Sequence, residues 1–194
     1  MHTNDPNPSP FVDTGTAAAA LRGGGVVAYP TEGVYGLGCD PHDEAAFRHL
    51  FALKQRPPSQ GVLLIGADID QVMPWIDIDA VPATVMATVR ASWPGPHTWI
   101  FPRAAGVPAW VAGGHAGIAL RVTAHAPAAD LCRAFGGAIV STSANPHGAA
   151  PARSATTVAA YFGDGLAAIV DAPLGGLDRP TSIRDALTGV IIRP

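Results

Sequence analysis

Short apolar runs of strand type alternate along this chain with stripes of helical period, and the gaps between the strands are uneven. Residues 26–29, 62–65, 98–101, 118–122 and 138–140 read as strands, with shorter ones near Ile169, Ile183 and Ile192. Residues 16–22, 43–54, 82–91 and 127–135 read as helices, and Ser154 is placed to cap another that runs to Phe162. In the second helix Ala46, Phe47, Leu50, Phe51 and Leu53 form the apolar stripe, and Asp43 is its N-cap. Alternation with uneven spacing predicts an α/β or α+β domain on a mixed sheet, not a regular doubly wound one. Residues 30–40 hold Gly33, Gly36 and Gly38 and read as a shaped loop, and residues 141–148 as a polar turn. Residues 1–13 are expected to form a disordered tail ahead of one domain at 14–194.

A chain of 194 residues buries roughly 70% of its unfolded surface, so it needs no disulfide or metal to fold. Its net charge of −3 argues against a surface that grips nucleic acid all over, while leaving room for a local basic pocket. Cys39 and Cys132 read as reduced, buried thiols. Asp68, Asp70, Asp77 and Asp79 read as a solvated face and helix caps. With no leader pattern and no apolar run near the ~20 residues of a membrane span, the expected location is the cytoplasm. Neither the dinucleotide-binding glycine pattern nor the P-loop is present.

Four segments could carry chemistry. The segment from Tyr29 to Gly38, which includes Thr31 and Glu32, follows a strand, where open sheets place ligand loops; a tight turn with Glu32 as a cap or salt-bridge partner is the alternative. Lys54, the single lysine among twelve basic residues, stands two positions from Arg56 at a helix end. The pair either complements the helix dipole or clamps a polyphosphate, with guanidinium and ammonium offering different shapes. Ser141-Thr142-Ser143-Ala144-Asn145 concentrates three hydroxyls and an amide after a strand, though such residues also fill ordinary turns. Arg121, at another strand end, suits a carboxylate or a surface ion pair.

Together these segments resemble the threonylcarbamoyl-AMP synthase family, of YrdC-like or TsaC type. The resemblance rests on Y-P-T-E-G-V-Y-G-L-G-C-D at 29–40, L-K-Q-R-P at 53–57 and S-W-P-G-P-H-T at 92–98. It continues with L-R-V-T-A-H at 120–125, V-S-T-S-A-N at 140–145 and S-I-R-D-A-L-T-G at 182–189, and so covers nearly all of the chain after the tail. It implies the short, single-domain form: a twisted mixed sheet flanked by helices, with a concave basic ligand pocket.

The activity implied is condensation of L-threonine, bicarbonate or CO2, and ATP to L-threonylcarbamoyladenylate and pyrophosphate. Mg2+ would come with ATP, held largely by phosphate oxygens. The product would pass to a threonylcarbamoyl-transferase complex that modifies tRNA beside the anticodon, with a weak contact to tRNA itself. By the resemblance, Lys54 and Arg56 act electrostatically on the triphosphate, joined at ATP by Ser143, Asn145 and Arg193. Thr31, Arg121 and Ser141 would hold threonine, and Glu32 would orient its neighbours. Thr98 and Ser182 are further candidates. His147 stands where many relatives carry a hydroxyl. Because Lys54 and Arg56 follow a helix end, alanine at either is expected to remove activity and spare stability. Two alternatives remain open: an RNA-binding module without chemistry, and a paralogue with another acceptor.

Overall fold

Val27, Ala28 and Tyr29 are consecutive and all fully buried, which a strand achieves only when both faces of its sheet are covered. The structure, a computed structural model, describes residues 10–57, 61–178 and 181–193. Its strands are β1 (Phe11–Val12), β2 (Val27–Pro30), β3 (Tyr35–Gly38), β4 (Leu63–Gly66), β5 (His97–Pro102), β6 (Gly117–Val122), β7 (Ile139–Ser143), β8 (Ala168–Val170), β9 (Ser182–Asp185) and β10 (Ile191–Arg193). Its helices are α1 (Thr14–Arg22), α2 (Glu44–Lys54), α3 (Ile69–Val72), α4 (Ala83–Ser92), α5 (Ala109–Ala112), α6 (Ala126–Phe135) and α7 (Ala155–Phe162). Among the described residues the strands form one ten-stranded sheet in the order β1-β8-β2-β3-β7-β4-β6-β5-β9-β10. Parallel and antiparallel neighbours are mixed, as the uneven strand spacing implied.

Side chains that alternate along the central strands divide the core in two. Val27, Tyr29, Ile65 and Ile139 pack under α1 and α6. Ala28, Leu64 and Val140 face the other way, onto residues of α2, α4 and α7. Asp43 caps α2 by accepting from the N–H groups of Ala45 and Ala46, as read from sequence. Phe47, Leu50 and Phe51 of that helix are buried, each stabilising the fold by ~1.5–3 kcal/mol. By the period of two, Ser141 and Ser143 share the face of Ile139, and Leu63 shares that of Ile65. All three line a cleft on this face.

Two expectations need correction. Residues 30–40 are not one loop, because Tyr35–Gly38 is a buried strand paired with both β2 and β7. The glycines suit it because the Tyr29 ring lies across them: a Cβ on Gly38 would stand 2.9 Å from that ring and 2.6 Å from the Val140 carbonyl oxygen. An aromatic side chain thus covers a glycine-rich strand, and reading the glycines as turn residues missed it. In the expected tail, residues 1–9 lie outside the described residues, but Phe11 and Val12 pair in parallel with β8. Two short apolar residues gain a ladder there, and Asp13 caps α1 through Thr16 N–H.

The contrast between two glycines of β3 is testable. Gly38→Ala should cost ~1–3 kcal/mol by overpacking. Gly36→Ala, whose Cβ would approach no closer than 3.4 Å, should cost clearly less. Chemical denaturation of both variants measures this, and equal losses would contradict the packing described.

Candidate functional site

The helix α2 ends in a left-handed turn. Gln55 has φ 53° and ψ 41°, its N–H donates to the Ala52 carbonyl, and Arg56 N–H donates to the Phe51 carbonyl. This paired closure reverses the chain direction after Lys54. As a result Lys54 is only 2% exposed, while Arg56 lines the cleft. The expectation that both residues stand clear of the core is therefore corrected for Lys54.

The Lys54 ammonium donates to the Ser143 carbonyl and to the Asn145 carbonyl, the latter at 3.0 Å. His147 N–H returns a bond to the Lys54 carbonyl at 3.0 Å. The lysine thus brackets the Ser143–His147 turn from behind. Burial, and then the nearby Arg56 guanidinium, push its pKa down to about 8 from 10.5. Between those values the unfolded chain holds a proton that the folded chain releases. The Lys54 contribution to stability therefore rises with pH from about 8 and is constant below it.

Within the turn, Ser143 Oγ donates to Asn145 Oδ1 at 2.6 Å. Asn145 Nδ2 donates to the Ala149 carbonyl at 2.8 Å and the Pro146 carbonyl at 3.2 Å. The Asn145 side chain is therefore committed to the shape of the turn, and Ser143 is the member of the pair that lines the cleft. His147 is exposed and meets Lys54 through its backbone.

The cleft has a volume of about 750 Å3, within the usual range for small-molecule sites. Arg121 lies on its floor and is 4% exposed. Its Nη2 pairs with Glu32 Oε2 at 3.3 Å, and its Nη1 donates to Thr181 Oγ1 at 2.8 Å. Glu32 is held in turn by Thr123 Oγ1, which donates to its Oε1 at 2.6 Å. A guanidinium has two N–H groups on each terminal nitrogen. The Glu32 contact is an ion pair, since Glu32 Oε2 and Arg121 Nε are both buried without a hydrogen-bond partner, so the guanidinium keeps N–H groups beyond the one on Thr181, which suit a carboxylate.

Thr31 also lines the cleft, with its hydroxyl donating to the Val34 carbonyl at 2.7 Å, which leaves it as an acceptor toward a ligand. Ser141 lines the cleft beside it. Arg193 reaches the rim, where its Nε and Nη2 donate to the Thr181 carbonyl at 3.1 and 2.8 Å. Thr98 is part of the floor and 1% exposed. Ser182 instead meets His97 Nδ1 at 3.3 Å.

The fold therefore gathers Thr31, Arg56, Arg121, Ser141, Ser143 and Arg193 around one cavity, with Lys54 and Asn145 behind its wall. Sequence reasoning missed Arg153 and Thr181, and included Thr123 only within the Arg121–His125 segment, with no role of its own. Arg153 lines the cleft and stands 4.0 Å from Asp178, the one acidic residue among the described lining residues. Thr123 follows Arg121 by two positions, so strand alternation alone could have flagged it. Four arginines on this surface make it basic on a chain of net charge −3. Among the described residues there is no group of three metal-ligating side chains, so a divalent cation here would depend on ligand oxygens.

The family model for Sua5, YciO and YrdC proteins, described as Telomere recombination, matches residues 19–194. The chain belongs to the Sua5/YciO/YrdC family. A threonylcarbamoyl-AMP synthase of Alkalilimnicola ehrlichii is 54% identical over 179 residues, covering 91% of this chain and 92% of that protein. A doubly substituted Sua5 of P. abyssi superposes with a TM-score of 0.88 at 31% identity, covering 93% of this chain. The chain spans 56% of the length of that Sua5. P. abyssi Sua5 complexed with L-threonine superposes with a TM-score of 0.82 at 31% identity, over 89% of this chain and 50% of the other.

The bracket and the cleft wall should separate on substitution. Lys54→Ala removes the ammonium from two part-buried carbonyls, of which that of Ser143 still accepts from Asn145 N–H, and should cost ~1–2 kcal/mol. Arg56→Ala, on the cleft wall, should change stability by no more than ~0.5 kcal/mol. Thermal and urea unfolding report both, and a neutral Lys54→Ala would overturn the bracket.

Proposed function

We propose that this chain is a threonylcarbamoyl-AMP synthase that makes L-threonylcarbamoyladenylate and pyrophosphate from L-threonine, bicarbonate or CO2, and ATP. The observation that carries this reading is the lining of the cleft. A buried arginine paired with a carboxylate, three further arginines and a hydroxyl-bearing turn all face one cavity. The near full-length similarity to curated threonylcarbamoyl-AMP synthases and the L-threonine complex of P. abyssi Sua5 support it.

Arg121 takes the threonine carboxylate on the N–H groups that its contact with Thr181 leaves. Thr31 Oγ1 accepts from the substrate nitrogen, and Ser141 lies beside it. The amine adds to CO2 with loss of a proton, giving a carbamate. A carbamate oxygen then forms a bond to the α-phosphorus of ATP. The bond from that phosphorus to the bridging oxygen breaks, and pyrophosphate leaves with the electron pair. Such a displacement needs positioning and charge stabilisation more than a protein nucleophile. Both thiols are held protonated by burial and are unsuited to attack, and both lie in the core.

Arg56 and Arg193 stabilise the triphosphate, and Ser143 binds its oxygens. Lys54 and Asn145 act at ATP through the turn they shape, with the ammonium charge beneath it. Mg2+ enters with ATP as part of the substrate. The adenylate then passes to a threonylcarbamoyl-transferase complex for modification of tRNA beside the anticodon, with only weak contact between this chain and tRNA. The setting is the cytoplasm; among the described residues no helix is long and apolar enough to cross a membrane.

Mass spectrometry of the purified protein with ATP, threonine and bicarbonate should detect threonylcarbamoyladenylate, with far less product from serine. Arg121→Ala should lower the yield by about 100-fold or more through lost carboxylate binding. Tight RNA binding with no threonine-dependent product would overturn the assignment.

A further inference from the structure

We propose that a second groove, apart from the cleft, docks a lysine- or arginine-bearing segment of a partner protein. The proposal is independent of the functional reading above. The groove has a volume of about 920 Å3 and shares no lining residue with the cleft among the described residues. Asp40, Asp68, Asp70, Arg22, His42 and Trp75 stand in its lining. Trp75 is 6% exposed, and the His42 ring stacks on it with centroids 4.9 Å apart. The other three indoles each donate a hydrogen bond: Trp93 to the His97 carbonyl, Trp99 to Ser92 Oγ and Trp110 to the Pro41 carbonyl. The Trp75 N–H has no acceptor among the described residues. It is not sealed in the core, so a partner reaches it from the groove. A nearly buried indole N–H ordinarily finds an acceptor, and here a bound partner supplies that oxygen.

The carboxylates set the charge of that partner. Asp40 Oδ1 accepts from His42 N–H at 2.8 Å, and Asp68 Oδ1 accepts from Gln71 N–H at 3.1 Å. The second oxygen of each stays available, and Asp70 is exposed. Among the described residues none of the three pairs with a cation. Arg22 shares the groove, but its Nη1 donates to the Ala134 carbonyl at 2.6 Å. Three carboxylates against one guanidinium leave the groove anionic, and residues 66–81, which supply two of them, include no basic residue. Among the described residues these carboxylates form no metal-ligating group. A nucleic acid would meet this charge unfavourably. A free polyamine would satisfy the carboxylates but offer Trp75 no oxygen. A basic polypeptide supplies both, with cationic side chains for the aspartates and a main-chain carbonyl for the indole. Docking there leaves the cleft open, because the two surfaces share no residue.

Titration of the 15N-labelled protein with N-acetylated, C-amidated hexalysine tests this without any substrate, so its outcome is separate from that of the functional reading. The protein has four indole N–H signals, one of which is assigned to Trp75. The peptide should move that signal downfield and leave the other three in place. Asp68→Asn combined with Asp70→Asn should weaken binding about tenfold, as the loss of two exposed ion pairs would. Asparagine at position 68 still caps the helix, so this variant keeps its fold. Trp75→Phe should weaken binding about fivefold through the lost N–H bond. If that variant folds poorly, the aspartate variant carries the test alone. Spermine should leave the indole signal where it is. The proposal is overturned if the peptide does not move the Trp75 signal, or if the aspartate variant binds it as tightly as the wild type. It is equally overturned if spermine, an RNA oligonucleotide or a rising concentration of the protein itself moves that signal in the same way.

Discussion

A single buried ammonium holds the wall of the cleft in shape. Lys54 is the only lysine in the chain, and its two carbonyl contacts plus the returning bond from His147 tie the end of α2 to the turn after β7. Everything on that wall follows from the tie. Ser143 faces the cavity because Asn145 and Lys54 fix the peptides around it. Arg56 reaches the cavity because the left-handed Gln55 turns the chain immediately after the lysine. A guanidinium would serve poorly at Lys54, since its planar fork cannot converge on two carbonyls of one tight turn as a tetrahedral ammonium can. That accounts for one lysine in a chain otherwise reliant on arginine.

The second constraint is the sheet. α1 and α6 cover part of a face, and polar residues elsewhere on it line the cleft instead of packing under a helix. The most buried of the four cleft arginines, Arg121, is tolerated because Glu32 pairs with one of its terminal nitrogens and Thr181 accepts from the other. Leaving either charge of such a buried pair alone is costly. The cleft gathers positive charge on a chain that is negative overall, and so selects anions without making the whole surface adhesive to nucleic acid.

Most elements were legible because their periods were clean: the stripe of α2, the caps at Asp43 and Ser154, and the apolar runs of β4 to β7. β3 was not, because its glycines are strand residues covered by the Tyr29 ring, a long-range packing that local rules read as a loop. The grouping of Thr31, Arg121 and the Ser141–Ser143 segment was legible through the family resemblance of their motifs. Their mutual geometry was not, because it depends on the order of strands in the sheet. The burial of Lys54 could not be read locally either, since it depends on the backbone angle of one residue, Gln55. Thr181 and Arg153 lie outside every motif and enter the site only through the folded chain.

Because the lysine is unique, one resonance reports on the whole account. Protein carrying lysine labelled with 13C at Cε should show a single titrating signal with a midpoint near pH 8, the value to which burial lowers it. Addition of the α,β-methylene analogue of ATP, which resists cleavage at the reacting position, should move that midpoint upward, because nearby phosphate charge favours the ammonium. A midpoint near 10.5, indifferent to nucleotide, would mark an ordinary solvated lysine and contradict the bracket beneath the Ser143–His147 turn.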